Sequence, residues 1–99
     1  MKYLYTGMFD VNENKVYANV PDLPGCITTG KDLDDAIEQL TDAASLWLVA
    51  AEDKGDDTPE ATPQSYFEIE PGTVCSAISV DTAAYRSEIE ANNYLKNVS

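Results

Sequence analysis

The sequence predicts a single α+β domain, in which a small antiparallel sheet in the order β-β-β-α-β-α carries a long helix on one face. Three observations predict this class. Two alternating segments near the N-terminus are joined by a polar turn, which indicates a β-hairpin. A long central stretch has apolar residues at spacings of three and four, which indicates an amphipathic helix. The length of 99 residues, 43% of them hydrophobic, suits one domain with a modest core.

The N-terminal hairpin is predicted from the alternation of its side chains. In residues 2–9, Tyr3, Tyr5 and Phe9 fall on one face, and aromatic residues favour strands. A turn rich in Asn and Asp follows, and residues 15–20 alternate again. Because the connection is short, the two strands are expected to pair antiparallel.

The segment PDLPGCITTG follows the hairpin and predicts a fixed corner. Pro21 and Pro24 hold φ near the extended value and lack an amide donor. Gly25 and Gly30 can adopt conformations that are closed to other residues. The corner therefore leads into a short third strand over residues 26–29.

The long helix has clear start and stop signals. Asp32 is the predicted N-cap, and the basic residue Lys54 followed by Gly55 predicts the C-terminal end. Trp47 falls within the apolar stripe, so core packing is favoured for it over a role as a partner anchor. The stripe consists of Leu33, Ala36, Ile37, Leu40, Ala43, Ala44, Trp47, Leu48 and Ala51.

The remaining elements are predicted from shorter patterns. Residues 56–64 contain two prolines and form a linker, and residues 67–69 suggest a short strand. Residues 73–80 form the last strand, and their apolar residues on both faces predict a central place covered on both sides. Asp81 is expected to cap a second helix that ends near residue 92.

The charge of the chain favours some partners over others. The net charge is −12, and residues 32–60 contain ten acidic residues and a single lysine. Such a chain repels phosphate backbones, and its six basic residues are scattered, so no DNA binding by this chain alone is expected. The acid favours either solubility or a basic protein partner. Without a long apolar run or a signal-peptide core, the predicted location is cytoplasmic, with no membrane association.

The sequence offers little for catalysis or for a cofactor. It has no histidine, and Cys26 and Cys75 have no partner at a zinc or redox spacing, so neither a metal nor a cofactor is expected. Both cysteines are predicted to be free thiols in strands, with a disulfide as the alternative in an exported protein. Asp10 and Asp22 suggest a degenerate metal-dependent nuclease as an alternative function. For Asp22 a turn cap is the favoured interpretation.

Four parts of the chain together resemble the HicB-like antitoxin family. They are the PDLPGC-I-T-x-G segment, the helix that follows it, the proline-bearing connection at residues 55–63, and the late strand that runs into Val80-Asp81-x-x-x-Tyr85. The resemblance implies a partial RNase-H-like version of the fold. It also implies an antitoxin that binds and occludes a small basic toxin of the HicA type, which cleaves mRNA. From pattern alone, a ferredoxin-like or a double-stranded-RNA-binding-like arrangement stays open, as does an orphan protein-binding module.

The resemblance also leads to expectations about sites and domain organisation. The acidic helix residues Asp34, Glu38 and Asp42 are the candidate partner surface, although a solvated helix face explains them equally well. Residues 1–93 are expected to form the antitoxin domain, and the 94–99 tail resembles the start of a ribbon strand from a C-terminal DNA-binding module. A homodimer or higher oligomer is a further expectation. The residues assigned to the structural motif are Pro21, Asp22, Pro24, Gly25, Gly30 and Trp47.

Overall fold

The computed structural model describes the backbone of residues 1–98 and the side chains of residues 1–91. Its order of elements is the predicted one, and the α+β class is confirmed. The elements are β1 (Lys2–Val11), β2 (Val16–Asn19), β3 (Ile27–Gly30), α1 (Leu33–Lys54), a 3₁₀ turn (Gln64–Tyr66), β4 (Thr73–Asp81) and α2 (Thr82–Val98).

The four strands form one antiparallel sheet in the order β3-β2-β1-β4. In the register of β1 and β4, Tyr5 lies opposite Ile78 and Phe9 lies opposite Val74. On the other side of β1, Phe9 lies opposite Ala18 of β2. Because directly opposite residues point to the same face, these side chains build one apolar surface, the inner face of the sheet.

Helix α1 packs across the inner face and closes the core. Asp32 caps its N-terminus by accepting a hydrogen bond from the Asp35 amide at 2.8 Å, and Gly55 ends it in the left-handed conformation. The predicted helix, with both of its caps, is therefore confirmed. The buried core consists of Tyr5, Phe9, Val16, Ala18, Val20, Leu23, Cys26, Ala36, Leu40, Ala44, Leu48, Ile78 and Val80.

The start of α1 is pressed against the end of β3 at Gly30. A Cβ atom at Gly30 would lie 2.4 Å from the backbone nitrogen of Ala36 and 2.6 Å from its Cα. Only a residue without a side chain leaves the helix this room. Gly30 therefore provides space for α1. The special backbone conformation that the sequence suggested for both glycines of this segment occurs at Gly25, which has a φ of 80°.

The predicted central position of β4 is wrong, because in the described part of the chain β4 is an edge strand that pairs only with β1. Its large apolar side chains, such as Ile78 and Val80, are buried on the inner face. The outward-facing positions hold small residues, and Ala77 there is exposed. The apolar residues on the two faces of β4 therefore reflect one buried face of large side chains and one outward face of small ones.

The strand predicted over residues 67–69 is also absent from the described structure. The chain instead forms the 3₁₀ turn, in which the Tyr66 amide donates to the carbonyl of Pro63 and the Phe67 amide donates to that of Gln64. This turn ends at Tyr66, and Phe67 after it is extended with φ of −87° and ψ of 135°, but residues 67–69 pair with no strand of the described sheet. Two apolar residues spaced by two form too short a pattern to distinguish a strand from an irregular segment.

Helix α2 is longer than predicted. Asp81 caps it, as expected, by accepting a hydrogen bond from the Ala84 amide at 3.2 Å. The helix then runs to Val98, so the backbone from Tyr94 is helical where an extended ribbon strand was expected. The sequence predicts an apolar stripe of Tyr85, Ile89 and Leu95 on this helix, but the side chain of Leu95 lies outside the described residues, as does Ser99. The domain boundary at residue 93 stays a prediction.

Candidate functional site

The proline-glycine corner is a compact backbone structure between β2 and β3. The Val20 amide donates to the Cys26 carbonyl, the Leu23 amide to the Val20 carbonyl, and the Cys26 amide to the Leu23 carbonyl, each at 3.0 Å. The Leu23 side chain is buried in the core. The corner thus pairs several of its own backbone groups and anchors itself with one buried apolar side chain.

Two side chains tie the corner to the rest of the fold. Trp47 of α1 donates its indole N–H to the Pro24 carbonyl at 2.9 Å. The Asp22 carboxylate accepts from the Thr62 amide at 2.8 Å and from the Thr62 hydroxyl at 2.7 Å. Asp22 therefore holds the linker, where the sequence suggested a cap within its own turn. These contacts connect the corner to α1 and to the linker.

A second polar cluster, which was not predicted from the sequence, joins the end of α1 to β1 and α2. Glu52 accepts from the Tyr3 hydroxyl at 2.7 Å and from the Thr82 hydroxyl at 2.9 Å. Arg86 pairs with Glu52 at 3.1 Å and with Asp53 at 2.9 Å. The pKa of the Glu52 carboxyl is lowered, first by the Tyr3 hydroxyl and further by Arg86 and Thr82, against the effect of burial, which raises it.

The Glu52 cluster predicts an acid-dependent contribution to stability. Because the pKa of Glu52 is lower in the folded state, its contribution is present above the unfolded-state pKa and is lost as the pH falls through the folded pKa. We expect Glu52→Gln to lose about 1 kcal/mol of unfolding free energy at pH 7. In urea titrations from pH 7 down to 3, the gap between wild type and variant should close. Glu13→Gln, an exposed control in the turn, should have the unfolding free energy of the wild type at every pH. A difference between wild type and Glu52→Gln that stays the same from pH 7 to pH 3 would contradict the prediction.

An open groove of about 390 Å³ lies between α1, the C-terminal part of β4 and the start of α2. Four carboxylates from these three elements line it, and none of its described lining residues is basic. We call it the acidic groove. Its lining residues are Ile37, Glu38, Thr41, Asp42, Ser45, Ser79, Val80, Asp81, Ala84, Tyr85 and Glu88.

The polar groups inside the acidic groove leave its carboxylates as the dominant feature. The hydroxyls of Thr41 and Ser45 donate at 2.7 Å to carbonyls one turn earlier in α1. Burial raises the pKa of Tyr85, and the negative charges of Asp42 and Glu88 raise it further. The field that these carboxylates produce therefore favours cationic side chains in the groove.

The acidic groove contains two of the three acidic residues singled out from the sequence. Glu38 and Asp42 line it, whereas Asp34 lies exposed in the first turn of α1 and is not among its lining residues. Asp81 and Glu88 were not predicted as residues of this surface, because the sequence pattern indicates only a helix-capping role for Asp81. The sequence signal for these two residues is that the predicted α2 begins directly after β4, which brings the first turns of α2 beside that strand.

The residues considered for catalysis have structural partners. Asp10 accepts from the Thr73 hydroxyl at 2.8 Å, and Asp22 is occupied by the linker as described above. Within residues 1–91, no group of three or more Cys, Asp and Glu side chains is arranged to hold a metal ion. Cys26 is a free, buried thiol whose pKa is raised by burial, and Cys75 is a free thiol 3.1 Å from the Met8 sulfur.

Comparison with known families decides the classification. A family model described as the HicB-like antitoxin of the bacterial toxin–antitoxin system matches residues 5–95. The chain belongs to the HicB-like antitoxin family. The match spans the corner, α1, the linker, β4 and most of α2. The HicB-like resemblance of the sequence is therefore confirmed, and so is the assignment to toxin–antitoxin systems.

Solved structures support the fold of this HicB-like chain. A chain of a toxin–antitoxin complex from Streptococcus pneumoniae has a TM-score of 0.77 at 13% identity, covering 86% of this chain and 73% of that one. The N-terminal domain of the antitoxin HicB from Burkholderia pseudomallei has a TM-score of 0.65 at 24% identity, covering 82% and 99%. A chain of a HicA3 and HicB3 complex has a TM-score of 0.64 at 16% identity, covering 80% and 99%. Comparison with curated protein sequences gave no significant match.

Among the described residues, neither α1 nor α2 combines the length and the apolar composition needed to cross a bilayer.

Proposed function

We propose that this HicB-like antitoxin binds a small basic toxin of the HicA type and inhibits its mRNA cleavage by covering its RNA-binding or catalytic surface. The acidic groove carries the proposal, because it concentrates four carboxylates on one side of the molecule. A protein that binds RNA needs cationic side chains that contact phosphates. Carboxylates on a rigid scaffold compete for the same side chains.

The rest of the chain supports an electrostatic mode of association. The net charge of −12 adds a long-range attraction for a cationic partner, which increases the association rate at low salt. Helix α1 and strand β4 hold the groove carboxylates on regular elements, so little ordering is needed on binding. We place this action in the cytoplasm, and we assign neither a catalytic residue nor specific DNA binding to the chain itself.

Titration calorimetry with the product of the neighbouring gene, which the proposal requires to be a small basic protein, tests the proposal. We expect Glu38→Gln/Asp42→Asn to weaken binding by about 10–100-fold, since the two lost interactions of opposite charges together contribute about 1.4–2.8 kcal/mol. Asp56→Asn/Asp57→Asn is the matched control, because it removes the same charge from the exposed linker. It should change the affinity by less than about threefold.

Two outcomes would contradict the proposal. Equal weakening by both double variants would show that net charge, and not the acidic groove, determines affinity. Absence of binding at low salt would reject the toxin partner altogether and favour an orphan binding module. As a further control, the chain without toxin should leave RNA intact in the presence of Mg²⁺. Cleavage that Asp10→Asn and Asp22→Asn abolish would restore the nuclease alternative.

A further inference from the structure

The outer edge of β4 presents unpaired backbone groups. At the two ends of the β1–β4 ladder, the Val11 amide donates to the Gly72 carbonyl and the Thr82 amide to the Met1 carbonyl, each at 3.0 Å. Residues of an antiparallel strand alternate in the direction of their backbone groups. Even-numbered residues of β4 therefore bond to β1, and the odd-numbered residues direct their N–H and C=O groups away from the sheet. In the middle of the strand these are Cys75, Ala77 and Ser79.

No described element covers this edge. Among the hydrogen bonds of the described residues, the only contact with these outward groups is a long one, 3.5 Å, from the Ser76 hydroxyl to the Ala77 carbonyl. Ala77 and Ser79 are exposed. Free edges are usually protected by prolines, lysines, bulges or short strands. β4 has nine residues, contains no proline or lysine, and carries a charge only at its last residue, Asp81.

We propose that the free edge of β4 pairs with an extended strand of the cationic partner, which thereby adds a fifth strand to the sheet. The inference rests on the proposed function and specifies how the toxin is held. Backbone pairing would supply affinity, and alternate side chains would supply specificity. The partner strand is expected to alternate cationic and small or apolar residues.

The acidic groove determines this choice of partner. Ser79, Val80 and Asp81 belong both to β4 and to the lining of the groove, so the groove borders the free edge on the inner side of the sheet. Alternate side chains of an added strand would point to that side, towards Glu38 and Asp42. A second copy of this chain would bring a further net charge of −12 and a second acidic groove to the same edge. The repulsion between two such negatively charged chains disfavours self-pairing at this edge, whereas a cationic strand is attracted to it.

Residue-resolved hydrogen exchange tests the inference on the wild-type chain in complex with the product of the neighbouring gene, which the proposed function requires to be a small basic protein. The amides of Cys75, Ala77 and Ser79 should exchange at least about tenfold more slowly in the complex, because each gains a hydrogen bond. The Thr29 amide is the matched control. The Val20 amide donates to the Cys26 carbonyl, so the even-numbered residues of β3 bond to β2 and the odd-numbered ones direct their backbone groups away from the sheet. The Thr29 amide therefore lies on the free edge of β3, and its exchange rate should not change.

A proline variant provides an independent readout. Ala77→Pro removes an outward amide and no bond to β1, so the fold should be kept while affinity falls about tenfold or more. Thr29→Pro at the opposite edge should leave affinity within about twofold. If Ala77→Pro does not fold, exchange in the wild-type complex decides.

The failure of the inference differs from the failure of the proposed function. Tight binding without protection of Cys75, Ala77 and Ser79 would overturn strand addition and leave the antitoxin function intact. Protection of these amides in the chain alone, increasing with its concentration, would assign the edge to a second copy and would also overturn the inference. Absence of any binding in calorimetry would reject the function itself.

Discussion

Gly30→Ala should destabilise the protein by about 3 kcal/mol or more, which is a large part of the stability of a small domain. The added Cβ would lie 2.4 Å from the nitrogen and 2.6 Å from the Cα of Ala36. Both are backbone atoms in the first turns of α1, so no rotamer change relieves the contact. The helix must shift away from β3, which disturbs the packing of the whole inner face. Thermal and urea denaturation measure the loss.

Gly25→Ala is the informative control for this prediction. Gly25 has a φ of 80°, but a Cβ there would meet nothing within 4 Å. Its substitution involves only backbone strain, which amounts to about 1 kcal/mol for alanine in the left-handed region. Equal losses for the two variants would contradict the conclusion that the close approach of α1 explains Gly30.

Leu40→Ala should be destabilising by about 3–5 kcal/mol. The Leu40 side chain is 0% exposed at the centre of the contact between α1 and the sheet. Its truncation removes buried apolar surface and leaves a cavity that a tightly packed core fills poorly. Chemical denaturation at pH 7 gives the difference in unfolding free energy.

Leu46→Ala makes the same chemical change on the solvent side of the same helix. Leu46 is 57% exposed, so we expect a change within about 0.5 kcal/mol. Alanine has at least as high a helix propensity as leucine, and helix formation itself is therefore not weakened in either variant. A loss of similar size at both positions would show that α1 does not bury the face described here.

The sequence was sufficient for α1 because the information is local. The cap at Asp32, the left-handed glycine at position 55 and the stripe between them all lie within one segment. The place of β4 was not predictable in this way. A run such as 73–80 shows which residues are apolar, but not whether one or two strands lie beside it, because its neighbours are distant in sequence.

The candidate site shows the same division. Glu38 and Asp42 were identifiable because they lie on the polar side of a predictable helix. Their companions Asp81 and Glu88 belong to a different part of the chain, and only the turn from β4 into α2 brings them near. The Glu52 cluster was missed for the same reason, since its partners lie on β1 and α2 and its spacing in the sequence carries no signal.

The acidic composition also affects the colloidal stability of the protein, because β4 has a free edge. Two molecules that approach edge to edge each carry a charge of −12, and their mutual repulsion opposes pairing at this edge. This repulsion does what lysines or prolines within an edge strand usually do, without blocking the backbone groups of β4. The same charge admits a cationic strand. Near the isoelectric point of about 4.1 the repulsion vanishes, and the edge becomes a surface on which sheets of separate molecules can grow.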